Sequence, residues 1–130
     1  MNISKLLLGP ISTFEVDVPA NTYYDFELEP WSTYPLVGVT YPVDYGNIPG
    51  YTGEDGQELD FYVGEDEAGL LGFIVVYRGD SIPDEHKFYV GLTDDDLQKI
   101  LAELKPVLIQ HKALTDMTTL LDMIEVYKDE

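Results

Sequence analysis

The sequence predicts an α+β protein in which a small antiparallel β-barrel is braced by helices near the C-terminal end of the chain. Three observations lead to this fold class. Short apolar or alternating segments bounded by proline and glycine fill the first 92 residues, whereas apolar residues recur at three- and four-residue spacing after residue 93. With 130 residues, 45% of them hydrophobic, the chain is long enough for one core and too short for two. We therefore predict a single domain over residues 1–130.

Six segments carry the patterns of short strands. Residues 14–18 read F-E-V-D-V, an alternation typical of a strand with one buried face. The later segments are rich in β-branched and aromatic residues. Pro30 ends the segment at residues 23–28. The remaining predicted strands are residues 23–28, 36–41, 59–63, 73–77 and 88–92.

Helical spacing replaces strand alternation after Thr93. This threonine precedes three aspartates, a combination favoured at a helix N-terminus, where a hydroxyl caps free N–H groups and acids meet the positive end of the dipole. Pro106 has to end or kink the helix, and we predict that residues 107–111 add a further turn or two. Thr115 is predicted to cap a last helix. The apolar positions of the two helices are Leu97, Ile100, Leu101 and Leu104, then Leu120, Leu121, Ile124 and Tyr127.

The charge balance is strongly acidic, with 25 acidic against 7 basic side chains and a net charge of -18. Such a surface repels nucleic acid, anionic membranes and free polyanions, so we expect no direct binding to nucleic acid or membrane. An anionic substrate would have to arrive together with cations. Composition alone leaves three interpretations open: solubility, adaptation to salt, or mimicry of the phosphate array of DNA.

The chain contains no cysteine, which excludes disulfides, zinc–thiolate sites and thiol chemistry. Its first apolar run, L-L-L-G-P-I, is too short to span a bilayer, and the single lysine before it makes a poor signal peptide. We therefore expect a cytoplasmic protein. Most of the ten tyrosines and five phenylalanines are assigned to a core or to a subunit interface.

Two acids at a predicted turn are candidate metal ligands. Asp55-Gly56 is a strong turn signal, and Asp60 follows five residues later on the strand that leaves the turn. Hard carboxylate oxygens suit Mg²⁺, which binds proteins through one or two carboxylates and keeps water and substrate phosphate as its other ligands. An acidic turn without any ligand is the alternative, because aspartate and glycine are ordinary turn residues.

A longer pattern around this turn resembles the soluble family I inorganic pyrophosphatases. The run Y-P-V-D-Y-G-N-I-P-G is followed by D-G-Q-E-L-D, where the family has Y-P-x-x-Y-G-[FY]-I-P and then D-G-D-P-[LIV]-D. Upstream, V-D-V-P-A-N resembles the family's I-E-I-P-x-N strand. Downstream, Asp80, Glu85 and Lys87 keep the spacing of its two acids and lysine. I-Q-H-K at residues 109–112 is similar to its helix-terminal Tyr-Lys, so the resemblance covers residues 14–112.

The resemblance implies a five-stranded OB-like barrel whose mouth holds divalent ions around pyrophosphate or another phosphoanhydride. The ions would be Mg²⁺, or Mn²⁺ in its place. Asp55, Asp60 and Glu85 would hold the ions near the attacking water. Asp80 would bind a further ion, and Glu27 the ion that the substrate carries. Members of this family commonly self-associate, so the resemblance also implies a homo-oligomer.

The same resemblance places Tyr45, Lys87 and Lys112 in contact with phosphate oxygens, and Asp60, Tyr45 and Gln57 near the reacting water. Gln57 stands where the family has an acid that takes the proton of this water, and an amide cannot act as a base. Losing a general base costs about 10²–10⁴ in rate. A lysine and an arginine with which the family binds phosphate also have no counterpart here.

Three functions are compatible with these patterns. The first is a divergent, metal-dependent pyrophosphatase, favoured by Asp55, Asp60 and the spacing of Asp80, Glu85 and Lys87. The second is a pyrophosphatase-like module that binds a divalent cation, a nucleotide or a partner protein without catalysis, favoured by the missing base and cations. The third is an acidic mimic of nucleic acid, favoured only by the net charge.

Overall fold

The computed structural model describes residues 9–129, which form mainly strands, with two α-helices toward the C-terminal end. A 3₁₀ turn, Gly9–Thr13, precedes the first strand. The strands are β1 Glu15–Val18, β2 Thr22–Asp25, β3 Gly38–Tyr41, β4 Asp44–Thr52, β5 Glu58–Val63, β6 Leu70–Val76, β7 Glu85–Leu92 and β8 Leu108–Leu114. The helices are α1 Asp94–Leu104 and α2 Met117–Ile124.

Six strands form one mixed sheet in the order β1-β4-β5-β7-β6-β8, and β2 pairs with β3 in a separate antiparallel ribbon. β7 pairs antiparallel with β6 and lies between β6 and β5. It therefore runs parallel to β5, and all other pairs of neighbouring strands in this sheet are antiparallel. β1 and β8 are the edges of the sheet over the described residues. The α+β class is therefore confirmed. The described strands form an open, mixed sheet and not a closed barrel, so the predicted small antiparallel β-barrel is not confirmed.

The two faces of the sheet carry separate hydrophobic cores. Side chains alternate between faces along a strand, so Phe61 and Val63 of β5 lie in one core and Tyr62 in the other. The core that contains Tyr62 is covered by the β2–β3 ribbon and α1, and the core that contains Phe61 is covered by α2 and the 3₁₀ turn. Burial on both faces explains why β5 and β7 end in continuous buried runs.

α1 begins where the sequence predicts. The Thr93 hydroxyl oxygen accepts a hydrogen bond from the Asp96 N–H at 3.1 Å, which satisfies one of the free donors of the first turn. The helix ends at Leu104, and a short 3₁₀ turn that contains Pro106 follows it. No helix within residues 9–129 combines the length and the apolar character needed to cross a membrane.

α2 is present as predicted, but the prediction that Thr115 caps it is wrong. Asp116 is the capping residue, because its Oδ1 accepts a hydrogen bond from the Thr119 N–H at 2.7 Å. A carboxylate at this position makes a charge-assisted hydrogen bond and also meets the positive end of the helix dipole. Leu120 and Ile124 are the buried positions of the helix, in agreement with the predicted apolar face.

β4 is a strand that the sequence patterns do not predict, because its glycines and proline are typical of a turn. An irregularity in the β4–β5 ladder between Ile48 and Thr52 removes Pro49 from the regular pairing. Gly46 serves a packing purpose, since a Cβ there would lie 1.8 Å from the carbonyl oxygen of Glu15 on β1. Only glycine lets the two strands approach this closely.

The expectation of helical turns at residues 107–111 is wrong for residues 108–111, which belong to strand β8, while Val107 ends the 3₁₀ turn that contains Pro106. β8 pairs antiparallel with β6, in a register that places Lys112 opposite Phe73 and Gln110 opposite Val75. Hydrogen bonds to the free edge of β6 decide its conformation. That partner is distant in sequence, so local spacing does not reveal it.

Candidate active site

A cleft of about 760 Å³ opens on the face of the sheet that α1 and the β2–β3 ribbon cover. The cleft lining includes six charged side chains and Tyr45, which together we call the polar half. The polar half consists of Asp17, Tyr45, Asp55, Asp60, Arg78, Glu85 and Lys87.

The parallel pairing of β5 with β7 builds the centre of the polar half. Phe61 pairs with Phe88, so the residues before them, Asp60 and Lys87, lie side by side on the cleft face. Glu85 precedes Lys87 by two residues and therefore shares this face. Two acids and one lysine thus converge through strand register, not through proximity in sequence.

β4 and β6 supply the neighbouring side chains. Tyr45 of β4 pairs with Tyr62 of β5 and reaches the cleft beside Asp60. Val76 of β6 pairs with Glu85, and Arg78 follows Val76 by two residues, so it continues the same face just beyond the end of the strand.

Lys87 is the centre of the polar contacts, and the residue is only 7% exposed. Its Nζ donates to the Tyr45 hydroxyl at 2.6 Å, to Glu85 Oε1 at 2.7 Å and to Asp60 Oδ2 at 3.2 Å. These three partners match the three donors of an ammonium group. Burial alone would lower the pKa of Lys87, but Tyr45, Asp60 and Glu85 raise it well above its ordinary value. Lys87 is therefore a permanent cation in the cleft.

Glu85 is a buried acid, with 2% of the residue exposed. Its Oε1 accepts from Lys87, whereas its Oε2 has no hydrogen-bond partner. Arg78 Nε lies 3.3 Å from Oε2, within ion-pair distance, but this N–H does not point along a hydrogen bond. A buried carboxylate oxygen without a hydrogen bond is costly. Glu85 Oε2 is therefore a buried acceptor that is balanced by the charge of Arg78 but not by a hydrogen bond.

Asp60 and Glu85 titrate as a pair. Burial raises the pKa of Glu85 to about 7, with Lys87 opposing this change and the hydrogen bond to Asp60 adding to it. Burial also acts upward on Asp60, but the charge of Lys87 and hydrogen bonds with Glu85 and Tyr45 outweigh it, and the pKa of Asp60 falls below its ordinary value. Opposite directions are expected for two neighbouring buried carboxyl groups whose titrations are coupled. Asp60 is therefore ionised, while Glu85 keeps its proton up to near-neutral pH.

Replacing Glu85 with glutamine is expected to stabilise the metal-free protein at pH 8. The pKa of Glu85 rises from its ordinary 4.5 to about 7 in the folded state, so the folded protein loses stability as the pH rises through this interval. Glutamine has no proton to release, and the gain should reach about 1–3 kcal/mol at pH 8 and shrink toward pH 5. Urea unfolding of both proteins in EDTA at the two pH values measures it. The same difference at both pH values would contradict the raised pKa.

Asp55 reaches the cleft from the tight turn between β4 and β5. The Gly53 N–H donates to the Gln57 carbonyl at 2.7 Å, and the Gly56 N–H donates to the Gly53 carbonyl at 3.1 Å. Gly56 has a φ of 80°, a left-handed conformation that favours glycine. Asp55 Oδ1 accepts from the Gln57 N–H at 2.9 Å, which fixes the direction of the carboxylate.

Glu54 ties the same turn to the opposite face of the sheet. Its carboxylate accepts from the His86 N–H at 3.1 Å and from the Tyr127 hydroxyl at 2.9 Å, and it also contacts the His86 ring. His86 stands between Glu85 and Lys87 on β7, so its side chain points away from the cleft. Glu54 therefore anchors the turn while Asp55 faces the cleft.

Five residues of the predicted site line this cleft together, and four do not. The five that line it are Tyr45, Asp55, Asp60, Glu85 and Lys87. Gln57 is exposed on the turn, and Lys112 is exposed on β8 and not at the end of a helix. Glu27 and Asp80 lie in a neighbouring depression, where Asp80 accepts from the Tyr77 hydroxyl.

Asp17 and Arg78 line the cleft but lie outside the predicted set. Asp17 accepts from the Asn47 amide at 2.9 Å, which fixes its carboxylate at the cleft edge. Asp17 stands within the alternating V-D-V run, and this pattern indicates an acid on a strand but not the cleft beside it. Arg78 follows a predicted strand, and only the β6–β7 register shows that it reaches Glu85.

Comparison of the chain with protein-family models, with curated proteins and with solved structures gives no match. Family membership therefore assigns no role to the cleft residues. Their burial, charge and contacts carry the functional inference instead.

The acids of the polar half are suitable ligands for a hard divalent ion, but they do not form a complete coordination shell. No three acidic or histidine side chains in the described part of the chain converge closely enough to hold an ion by themselves. Mg²⁺ does not need such a shell, because it binds through one or two carboxylates and completes its coordination with water and phosphate. The Glu85 oxygen without a hydrogen bond is a suitable donor beside Asp60. The residues present therefore suit an ion that arrives with a phosphate ligand.

Proposed function

We propose that the protein is a metal-dependent hydrolase that splits pyrophosphate or a related phosphoanhydride into phosphate. It would be a divergent relative of the family I pyrophosphatases, with their OB-like core reduced to an open sheet. The observation that carries this proposal is the meeting of Asp55, Asp60 and Glu85 with Lys87 and Arg78 on one wall of a cleft. Carboxylates suit a divalent ion, and the two cations suit phosphate oxygens.

The net charge of -18 makes a cation part of this proposal, because free pyrophosphate is repelled at long range. A complex of the substrate with Mg²⁺ carries less negative charge. One or two of the carboxylates of Asp55, Asp60 and Glu85 would hold the ion together with water and phosphate, with Mn²⁺ as a substitute for Mg²⁺. A bound divalent ion supplies Lewis-acid polarisation of phosphate oxygens and a water of lowered pKa.

The side chains of the cleft divide the remaining tasks. Lys87 and Arg78 attract phosphate oxygens, Lys87 by its charge alone because its three N–H donors already have partners, and Arg78 through a planar guanidinium that can donate two parallel hydrogen bonds. Burial raises the pKa of Tyr45 well above its ordinary value, so its hydroxyl stays neutral and can donate to phosphate. Asp60 is ionised and can accept a proton.

In the proposed reaction, a water oxygen forms a bond to one phosphorus while the bond between that phosphorus and the bridging oxygen breaks. The bridging oxygen keeps the electron pair and leaves with the second phosphate. Asp60 takes the proton that the water releases. A carboxylate with a lowered pKa is a weak base, so we expect a slow enzyme. Gln57 and Lys112 take no part, since both lie outside the cleft lining.

Phosphate release from pyrophosphate tests the proposal. We expect release in Mg²⁺ or Mn²⁺ and none in EDTA. The activity should elute with the protein in gel filtration, which separates it from a contaminating host enzyme and also reports whether the predicted homo-oligomer forms. Release that does not depend on a divalent ion, or no release from pyrophosphate and other phosphoanhydrides, would refute the proposed hydrolysis.

A binding module without catalysis is the second candidate, and the contact between Lys87 and Asp60 favours it. A lysine 3.2 Å from Asp60 holds the carboxylate in its ionised form and weakens it as a base. This candidate predicts that imidodiphosphate, which resists hydrolysis, binds in the presence of Mg²⁺ while pyrophosphate stays intact. Calorimetry together with the phosphate assay distinguishes the two functions.

A further inference from the structure

The cleft is far larger than pyrophosphate. Its volume of about 760 Å³ falls within the range of pockets for drug-sized organic ligands, about 300–1,000 Å³. The same lining contains aromatic and aliphatic side chains that we call the aromatic half: Tyr24, Phe26, Leu28, Tyr34, Leu36 and Val39. Hydrolysis of pyrophosphate leaves this half without a role.

Three aromatic side chains, Tyr24, Phe26 and Tyr34, belong to the aromatic half. The Tyr34 hydroxyl donates to the Tyr77 carbonyl at 2.8 Å, and the rings of these two residues stack with centroids 6.3 Å apart and planes 23° apart. The rings of Tyr24 and Phe26, at the β2 side of the ribbon, lie 6.1 Å apart with their planes tilted by 51°. Tyr34 is thus fixed before any ligand arrives, while Tyr24 is 50% exposed and accessible to one. Pre-positioned rings of this kind favour stacking on a planar group.

Arg78 joins the aromatic half to the polar half. Its guanidinium carbon lies 6.0 Å from the centroid of the Tyr34 ring, and its Nε lies 3.3 Å from Glu85 Oε2. Lys87 contacts the same glutamate through Oε1. A ligand with its phosphates beside Arg78 and Lys87 would therefore place an attached group against Tyr34.

We propose that the aromatic half binds the base of a nucleotide, so that the phosphoanhydride accepted by the cleft is a nucleoside di- or triphosphate with its divalent ion. This inference rests on the proposed function for the position of the phosphates and extends it to a substrate class. A nucleobase stacks on tyrosine and phenylalanine rings and on a guanidinium. Ser32 and the Tyr24 hydroxyl add polar atoms, which a base can use and an isoprenoid chain would only desolvate.

Binding of two analogues that resist hydrolysis tests this inference. The probes are the β,γ-imido analogue of ATP and imidodiphosphate, each titrated with Mg²⁺ into the full-length protein by calorimetry. We expect the nucleotide analogue to bind at least tenfold more tightly. Tyr24→Ala should weaken nucleotide binding about fivefold to tenfold and leave imidodiphosphate binding unchanged. Tyr23→Ala is the matched control: Tyr23 is 57% exposed on the same strand, and it does not line the cleft.

The outcomes separate this inference from the proposed hydrolysis. Equal affinity for the two analogues, or equal effects of Tyr24→Ala and Tyr23→Ala, would overturn the nucleotide site even if pyrophosphate is hydrolysed. Tighter binding of a non-hydrolysable isoprenoid diphosphate than of the nucleotide analogue would overturn it as well. Selective, Tyr24-dependent nucleotide binding without phosphate release would support the site and refute hydrolysis. No binding of any analogue in Mg²⁺ would overturn the site.

Discussion

Replacing Lys87 with methionine is expected to destabilise the metal-free protein by about 3–5 kcal/mol at pH 8, the cost typical of removing one partner from a buried ion pair. Methionine keeps the length and apolar stem of lysine but removes the cation between Asp60 and Glu85. Glu85, 2% exposed, then keeps only the neighbouring charge of Arg78. The loss is a large share of the roughly 5–15 kcal/mol that stabilises an ordinary domain.

Urea unfolding in EDTA measures the effect of Lys87→Met, and Lys99→Met serves as its control. Lys99 pairs with Asp95 at 3.0 Å on α1, but its side chain is 61% exposed, and surface pairs contribute about 0–1 kcal/mol. Without Lys87, the pKa values of Asp60 and Glu85 should rise, so the folded variant takes up protons and recovers stability toward pH 5. Similar losses in the two variants, or a Lys87→Met loss that is independent of pH, would show that Lys87 does not neutralise the buried acids.

The parts of the fold that depend on local chemistry were predictable. Thr93 and the acids after it specify the start of α1, because the capping hydrogen bond involves residues only three apart. Two of the strands that depend on distant partners, β4 and β8, were not. β4 contains Pro49 and glycines that suit a turn, and its bulge and its close contact with β1 become visible only in the sheet. β8 forms because the edge of β6 is free to pair.

The residues of the site also divide into those that the sequence indicates and those that only the fold brings into the cleft. Asp55 and Asp60 follow from a turn signal and a strand that are adjacent in sequence. Glu85 and Lys87 were placed in the site by the resemblance, because the predicted strand began only at residue 88, whereas β7 begins at Glu85. Arg78 depends on the β6–β7 register, which no local pattern specifies. The roles given to Gln57 and Lys112 came only from a resemblance in motifs, and both residues are exposed outside the cleft lining. An aligned motif transfers a residue type, whereas a role also requires the same neighbours in space.

Replacing Asp60 with asparagine is expected to lower metal-dependent phosphate release by about 10²–10⁴. Asparagine keeps the shape of the side chain, and its amide oxygen can still accept from Lys87, but it cannot take a proton and binds a divalent ion less strongly. The kcat for pyrophosphate should fall far more than KM changes, because Lys87 and Arg78 remain to bind phosphate. Initial rates over a range of pyrophosphate and Mg²⁺ concentrations separate these effects.

Asp84→Asn is the matched control, since it makes the same chemical change at an exposed residue that does not line the cleft. We expect its rate to equal that of the wild type. Both variants need to be folded at the assay temperature, because the loss of charge at Asp60 also weakens the contact with Lys87. A folded Asp60→Asn protein that releases phosphate within twofold of the wild-type rate would mean that Asp60 neither takes the proton nor holds the ion. The proposed reaction would then be wrong, and the activity would have to come from another part of the cleft.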